Sequence, residues 1–215
     1  MKGSDIKNLV IVKLEEKSAF LPNDGASGPV LSGGDILNEL KPIYSYIDEQ
    51  LSIAANEVLK IAPLSMIYPA FDDEDMLLLD GNELKVPDDF LRLYSIKASD
   101  WSRPVHTAIT KEHPLYIQQH NPYTCGSKTK PVVVYDGEVD GVNKTLKLYS
   151  TEVEDADSID FTYVRKFGDK ESYSDSIAEA IALNCAKKVY EIYGNTEMAT
   201  TMQSELTAVL NNMQV

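Results

Sequence analysis

An α+β fold is predicted for this 215-residue chain by three features of its sequence. Apolar residues recur at helical spacing from Asp35 to Val58, and again in two runs between Ser174 and Met213. Between them lie short β-branched and aromatic runs broken by Pro, Gly, Asn and Asp, which read as an antiparallel sheet. Helices, a central β region and two further helices are thus segregated along the chain. A chain of this length can bury roughly 70% of its unfolded surface around one core, so a single domain over residues 1–215 is expected.

Residues 1–34 form an arm and a loop. The stretch 5–17, "DIKNLVIVKLEEK", fits a short helix opened by Asp5, with Ile6, Leu9, Val10 and Leu14 on one face; "FLPNDGASGPVLSGGD" after it has the glycines and prolines of a loop. The long helix takes residues 35–62. Its stripe of Ile36, Leu40, Ile43, Ile47, Leu51, Ala54 and Val58 covers about 27 residues, or roughly 40 Å. Pro42 either kinks it or begins its main part, and Pro63 ends it.

The β region takes residues 64–170. "MLLLDGNELKVP" reads as a hairpin about Asp-Gly-Asn, and "PDDFLRLYSI" as a single helical turn with Pro87 at its start and acids near its N-terminus. "PVHTAIT", "PLYIQQH", "PVVVYDG", "TLKLYS" and "IDFTYVRKF" read as strands. The helical pair takes residues 174–213. Ser174 and Asp175 cap its first member, Ile177, Ile181, Cys185, Val189 and Ile192 form the stripe, and Gly194 ends it. The last helix carries Met198, Met202, Leu206, Val209 and Met213 on one side and a mainly neutral polar back.

Charge narrows the function classes. With 34 acidic and 20 basic side chains, net −14, the chain is ill suited to gripping a phosphate backbone, though such a surface lets DNA pass without sticking. No signal peptide is expected, because "LVIV" is a short apolar run closed off by charges. The longest uncharged stretch, "IAPLSMIYPAF", holds two prolines and falls well short of the roughly 20 residues that span a bilayer. Cys125 and Cys185, with no CxxC spacing, indicate neither a disulfide framework nor a zinc site.

The candidate chemistry is sparse. His106, His113 and His120 recur every seven residues with Cys125 nearby, which raises the possibility of a metal-dependent enzyme. Pro104, Pro114 and Pro122 prevent a continuous helix that would align them, and seven-residue steps on a strand alternate faces. "DDED" at 72–75 reads as a charged loop. "EVEDADSID" imitates a calcium loop through Asp155, Asp157 and Asp160, but lacks its glycine and has Ile159 where a ligand is needed. No nucleophile elbow, zinc-protease helix or phosphate loop is present, so no catalytic, cofactor-binding or metal residues are assigned and the chain is read as a non-enzyme.

The order of "AANEVLKIAPLSMI", "ELKVPDDFLRLYSIKASDWSRPV", "PVVVY", "LKLYS" and "SIAEAIALNCAKKVYEIYGNTEMATTMQSEL" resembles the head-to-tail adaptor proteins of short-tailed bacteriophages. These are also called tail tubular or ring proteins, and the closest style is that of the crAss-like gut phages. The resemblance covers most of residues 35–213. It implies a structural virion protein, assembled in the host bacterial cytoplasm, of which about twelve copies form a ring. Such a ring joins the portal protein to further tail proteins and lines a channel that genomic DNA passes without specific binding; no cofactor and no membrane is involved. The residues expected at its interfaces are Trp101, Arg103, Leu206, Val209 and Met213. Trp101, the single tryptophan, is either a core anchor where the "DDFLRL" turn meets the sheet, with Arg103 facing an acidic neighbour, or a subunit contact. In the last helix the inner end is expected to pack on the chain's own bundle and the end from Leu206 onward to engage the portal. Readings of other classes are the histidine-based metal enzyme and a monomeric module that binds through its sheet.

Overall fold

The computed structural model describes residues 1–18, 33–71, 77–79, 82–121, 123–139, 143–153 and 158–213. In chain order the elements are α1 (Gly3–Ser18), α2 (Gly33–Ile61), β1 (Ala70–Phe71), β2 (Leu77–Leu79), β3 (Glu83–Lys85), β4 (Phe90–Ala98), α3 (Pro114–Gln118), β5 (Val132–Val139), β6 (Asn143–Tyr149), β7 (Ile159–Arg165), α4 (Asp175–Ile192) and α5 (Thr196–Met213). The α+β class is as predicted. Where one domain was expected, the chain divides into two compact units: Met1–Tyr68 with Phe167–Val215, and Pro69–Lys166. Among the described residues no helix is long and apolar enough to cross a membrane.

The first unit is helical, and α4 is its axis: α1, α2 and α5 all pack against it, while α1 and α2 touch each other much less. A helix surrounded on several sides must be apolar on several sides. The predicted stripe of Ile177, Ile181, Cys185 and Val189 is buried, but so are Ala178, Ala180, Ala182 and Ala186 on the other faces, where small side chains let neighbouring helices approach. Burial pushes the Cys185 thiol up to about 12. Ile192, the last member of the predicted stripe, is exposed.

Local signals set the helix ends. Ser174 Oγ accepts from the Ile177 N–H at 3.4 Å, and Gly194, at φ 72°, turns the chain out of α4. Asn195 Oδ1 then accepts from the Met198 N–H at 3.1 Å to open α5. At the start of the unit, Gly3 N–H and Ser4 N–H donate to Glu171 O and Asp169 O. A Cβ on Gly3 would overlap the Gly168 carbonyl oxygen, so only glycine permits this approach.

One polar group sits in the α2–α4 seam. Buried Asn184 donates from Nδ2 to Ala54 O and to Glu57 Oε2, both at 3.0 Å, and Lys188 Nζ donates to Glu57 Oε1 at 2.9 Å. Desolvation pushes the Glu57 carboxyl up, but the hydrogen bonds from Lys188 and Asn184 together outweigh it and hold Glu57 below its ordinary value. A carboxylate depressed in the folded state contributes stability above the unfolded value of 4.5, which is lost as pH falls through the folded value. Because Glu57 is half exposed, the amount is expected to be below about 1 kcal/mol. Glu57→Gln should therefore lower the melting temperature at neutral pH, and the difference from wild type should vanish on acidification. An equal deficit at every pH would mean that charge is not what Glu57 contributes.

The second unit holds two antiparallel sheets, ordered β1-β7-β4 and β2-β3-β6-β5. Inward side chains of both enclose one core: Phe90, Leu93 and Ile96 of β4, Phe161 and Tyr163 of β7, and residues of the second sheet such as Leu84, Val133, Leu146 and Leu148. Phe161 and Tyr163 stack at 5.4 Å, and Phe90 lies 6.0 and 5.8 Å from them.

Segment 90–98 corrects the sequence reading. It is a nine-residue strand, not a helical turn. Register shifts between Phe90 and Arg92 and between Leu93 and Ser95 put Phe90, Leu93 and Ile96 on the inner face; bulges thus produce a spacing of three that imitates a helix. The turn is confined to Asp88 and Asp89, closed by the Phe90 N–H donating to Pro87 O. Its acids serve the sheet: Asp89 accepts from Tyr163 OH at 2.8 Å and pairs with Arg165 at 3.1 Å, and Lys166 Nζ donates to Asp88 O.

Candidate interaction surface

Between β4 and β5 the chain makes an excursion over residues 99–131. Its base is fastened first. Trp101 is only 3% exposed, within the core of the second unit, and its Nε1–H donates to Ser150 O at 3.2 Å. This placement fits the anchor reading of Trp101. Val105 forms an antiparallel bridge to Ile96, and Ile109 a parallel bridge to Val134. Since β4 and β5 are edge strands of the two sheets, residues 105–109 cover both edges. The predicted strand "PVHTAIT", residues 104–110, is thereby reduced to two isolated bridges.

Beyond Ile109 the segment predicted as a strand, "PLYIQQH", is instead the one-turn helix α3. Pro114 occupies its first turn, and His113 caps it by accepting the Leu115 N–H at 3.2 Å. Buried Gln119 then closes the loop: Nε2 donates to Leu115 O at 2.9 Å, and Oε1 accepts from Gly126 N–H at 2.8 Å. Ser127 and Lys130 exchange backbone hydrogen bonds, Ser102 N–H donates to Lys128 O, and Ser150 Oγ donates to Gly126 O.

Charge holds the flanks. Asp100 accepts from Thr151 Oγ1 at 2.9 Å and Glu152 N–H at 3.1 Å, and pairs with Lys128 at 3.3 Å. Burial raises the Asp100 carboxyl, but these donors win and hold it below its usual range. Lys128 also pairs with Glu152, so the acids near Trp101 are taken by Lys128, while Arg103 is exposed. Lys111 pairs with Asp136 on β5.

On this ordered frame stand three large apolar side chains facing water. Leu115 is 41% exposed, Ile117 75% and Tyr123 96%. Residues 101–131 carry four basic side chains, Arg103, Lys111, Lys128 and Lys130, against the single acid Glu112, giving net +3 in a chain of net −14. An ordered segment that exposes large apolar side chains is suited to holding another protein. The sequence reading missed Leu115, Ile117 and Tyr123 by placing the first two on a strand. Pro114 at a first helical position was the available signal.

The other sequence-derived residues are distributed as follows. Leu206 and Met213 are each 5% exposed, and Val209 is half-buried. The stripe of α5 is thus occupied along its length within its own unit, which corrects the division into a packed inner end and a partner-binding outer end. His106 Nδ1 lies 3.0 Å from Tyr94 O, His113 caps α3, and His120 Nδ1 lies 3.2 Å from Tyr116 O with its ring edge-on to Tyr116. The imidazoles lie against separate stretches of backbone, His106 against β4 and His113 and His120 against α3, and among the described residues no three His, Cys, Asp or Glu side chains group as a metal site. Cys125 is exposed. Asp160 is exposed on β7; residues 72–75, Asp155 and Asp157 lie outside the described residues. No protein-family model matches the chain, and no curated protein is significantly similar to it.

Proposed function

We propose that this chain is a structural virion protein: about twelve copies form a ring that joins a phage portal to the tail and surrounds the DNA exit channel. The observation that carries the reading is the excursion, whose buried Trp101 and Gln119 hold Leu115, Ile117 and Tyr123 out toward solvent. A rigid apolar tip is a protein-contact device, since ordering costs are already met before a partner arrives. The net charge of −14 supports a channel wall that DNA slides past. The resemblance in motif order quoted above supports a ring of this kind, and the separate engagement of the three histidines favours it over a histidine metal enzyme.

Electron microscopy of the purified chain, alone and mixed with portal protein, tests the reading. Rings that stack on the portal are expected, and light scattering should show them loosening with added salt, because salt screens the charge pairs expected between neighbouring subunits. A chain that stays monomeric and ignores the portal would overturn it in favour of a monomeric module that binds through its sheet.

A further inference from the structure

Residues 101–131 of the excursion carry +3, which leaves −17 on the rest of the chain; Lys111 is paired with Asp136 and Lys128 with Asp100 and Glu152, so Arg103 and Lys130 are the cations offered to a partner. The best electrostatic complement of the excursion is therefore the chain itself. An apolar contact also requires a landing site that joins exposed apolar side chains to acids. The turn between α4 and α5 is one. Ile192 is 45% and Tyr193 48% exposed, and Tyr193 is held edge-on against Tyr46 at 5.7 Å. The exposed acids Glu191, which Lys187 Nζ approaches to 3.6 Å, and Glu197 stand on either side of them in sequence.

We infer that the excursion of one copy, through Ile117 and Tyr123 together with Arg103 and Lys130 of the same segment, docks on the α4–α5 turn of a second copy. Donor and acceptor are different surfaces of the same chain, so the contact is head-to-tail and each copy uses both surfaces. Repetition of such a contact generates a ring when its rotation closes. The apolar pair supplies affinity at the centre, with Tyr123 the kind of residue that carries binding energy, and the charges select register and speed encounter. This inference rests on the ring proposed above and assigns it a contact.

All the side chains involved are exposed, so the variants that test the contact should fold normally, as melting curves of each will check. Sedimentation of the full chain over a concentration series reads the association. Ile117→Ser with Tyr123→Ser is expected to weaken it about tenfold or more. Arg103→Glu with Lys130→Glu should weaken it as well, and so should Glu191→Lys with Glu197→Lys. Mixing the last two proteins should restore association, because each then offers the other a complementary surface of reversed or native sign. Wild-type chains that associate while the Ile117/Tyr123 variant associates equally well overturn this contact and leave the ring standing. Wild-type chains that remain monomeric at every concentration overturn both. Charge variants that each weaken association but show no rescue on mixing overturn the pairing of these two surfaces.

Discussion

Ile181→Asp is expected to abolish the folded helical unit. Ile181 is fully buried on α4, the helix against which α1, α2 and α5 pack. A carboxylate at a position with no exposure would lose its water. Substitutions of this kind cost about 4–5 kcal/mol or more, against a total stability of about 5–15 kcal/mol for a domain. Circular dichroism should report the loss of helix. The tryptophan emission provides a second reading, because Trp101 is the single tryptophan and lies in the core of the other unit. Its emission is expected to stay that of a buried indole, since the β unit has its own core. A red shift accompanying the helix loss would show that the β unit depends on the helical one. Val12→Asp, on the exposed side of α1, should be nearly silent; an Ile181→Asp protein that melts like wild type would mean that α4 is not enclosed.

Deletion of residues 206–215 should also destabilise the helical unit severely, contrary to the expectation drawn from sequence that this end is free for a partner. The deletion removes buried Leu206 and Met213 and half-buried Val209. Each large apolar side chain buried contributes about 1.5–3 kcal/mol, so roughly 4–8 kcal/mol is at stake. The stub of α5 that remains has too few turns to persist alone, and its departure would uncover one side of α4. Calorimetry of the truncated chain should show a transition lost or lowered by tens of degrees for the helical unit. A melting temperature near that of wild type would return the end of α5 to the list of partner surfaces. Loss of portal binding by the truncated chain would say little about the attachment site, because it would follow from unfolding. The exposed positions 117 and 123 are better probes.

These two results bear on what a sequence reveals. The helices α1, α2, α4 and α5 were legible because their apolar residues keep a period near 3.6 and their ends carry Asp5, Pro63, Ser174 and Gly194. The strands β5, β6 and β7 and the hairpin of β2 and β3 were legible from composition and turn residues. What escaped was tertiary. The alanines of α4 do not register as a stripe, so a helix enclosed on several sides looked one-sided, and its neighbour α5 looked half free. Two bulges gave β4 a helical spacing. In α3, the β-branched and aromatic composition of "PLYIQ" outweighed the proline that begins it. The candidate surface was least legible of all, because exposure of Leu115, Ile117 and Tyr123 depends on Gln119 and Trp101 fastening the loop from beneath.

The division of the chain into an uninterrupted β unit and a helical unit assembled from both flanks sets an order on synthesis. On a ribosome α1 and α2 emerge before the β unit, but α4, the helix against which both pack, is translated only after the whole of it. The sandwich between them has everything it needs and can close during elongation. Meanwhile the two leading helices trail an uncovered apolar stripe, a binding site for chaperones that lasts until α4 and α5 are made. Slow codons or a stalled ribosome after residue 166 would therefore leave a half-finished protein with a sound β unit and an adhesive head, and premature encounter between neighbouring nascent chains on one message would occur through α1 and α2.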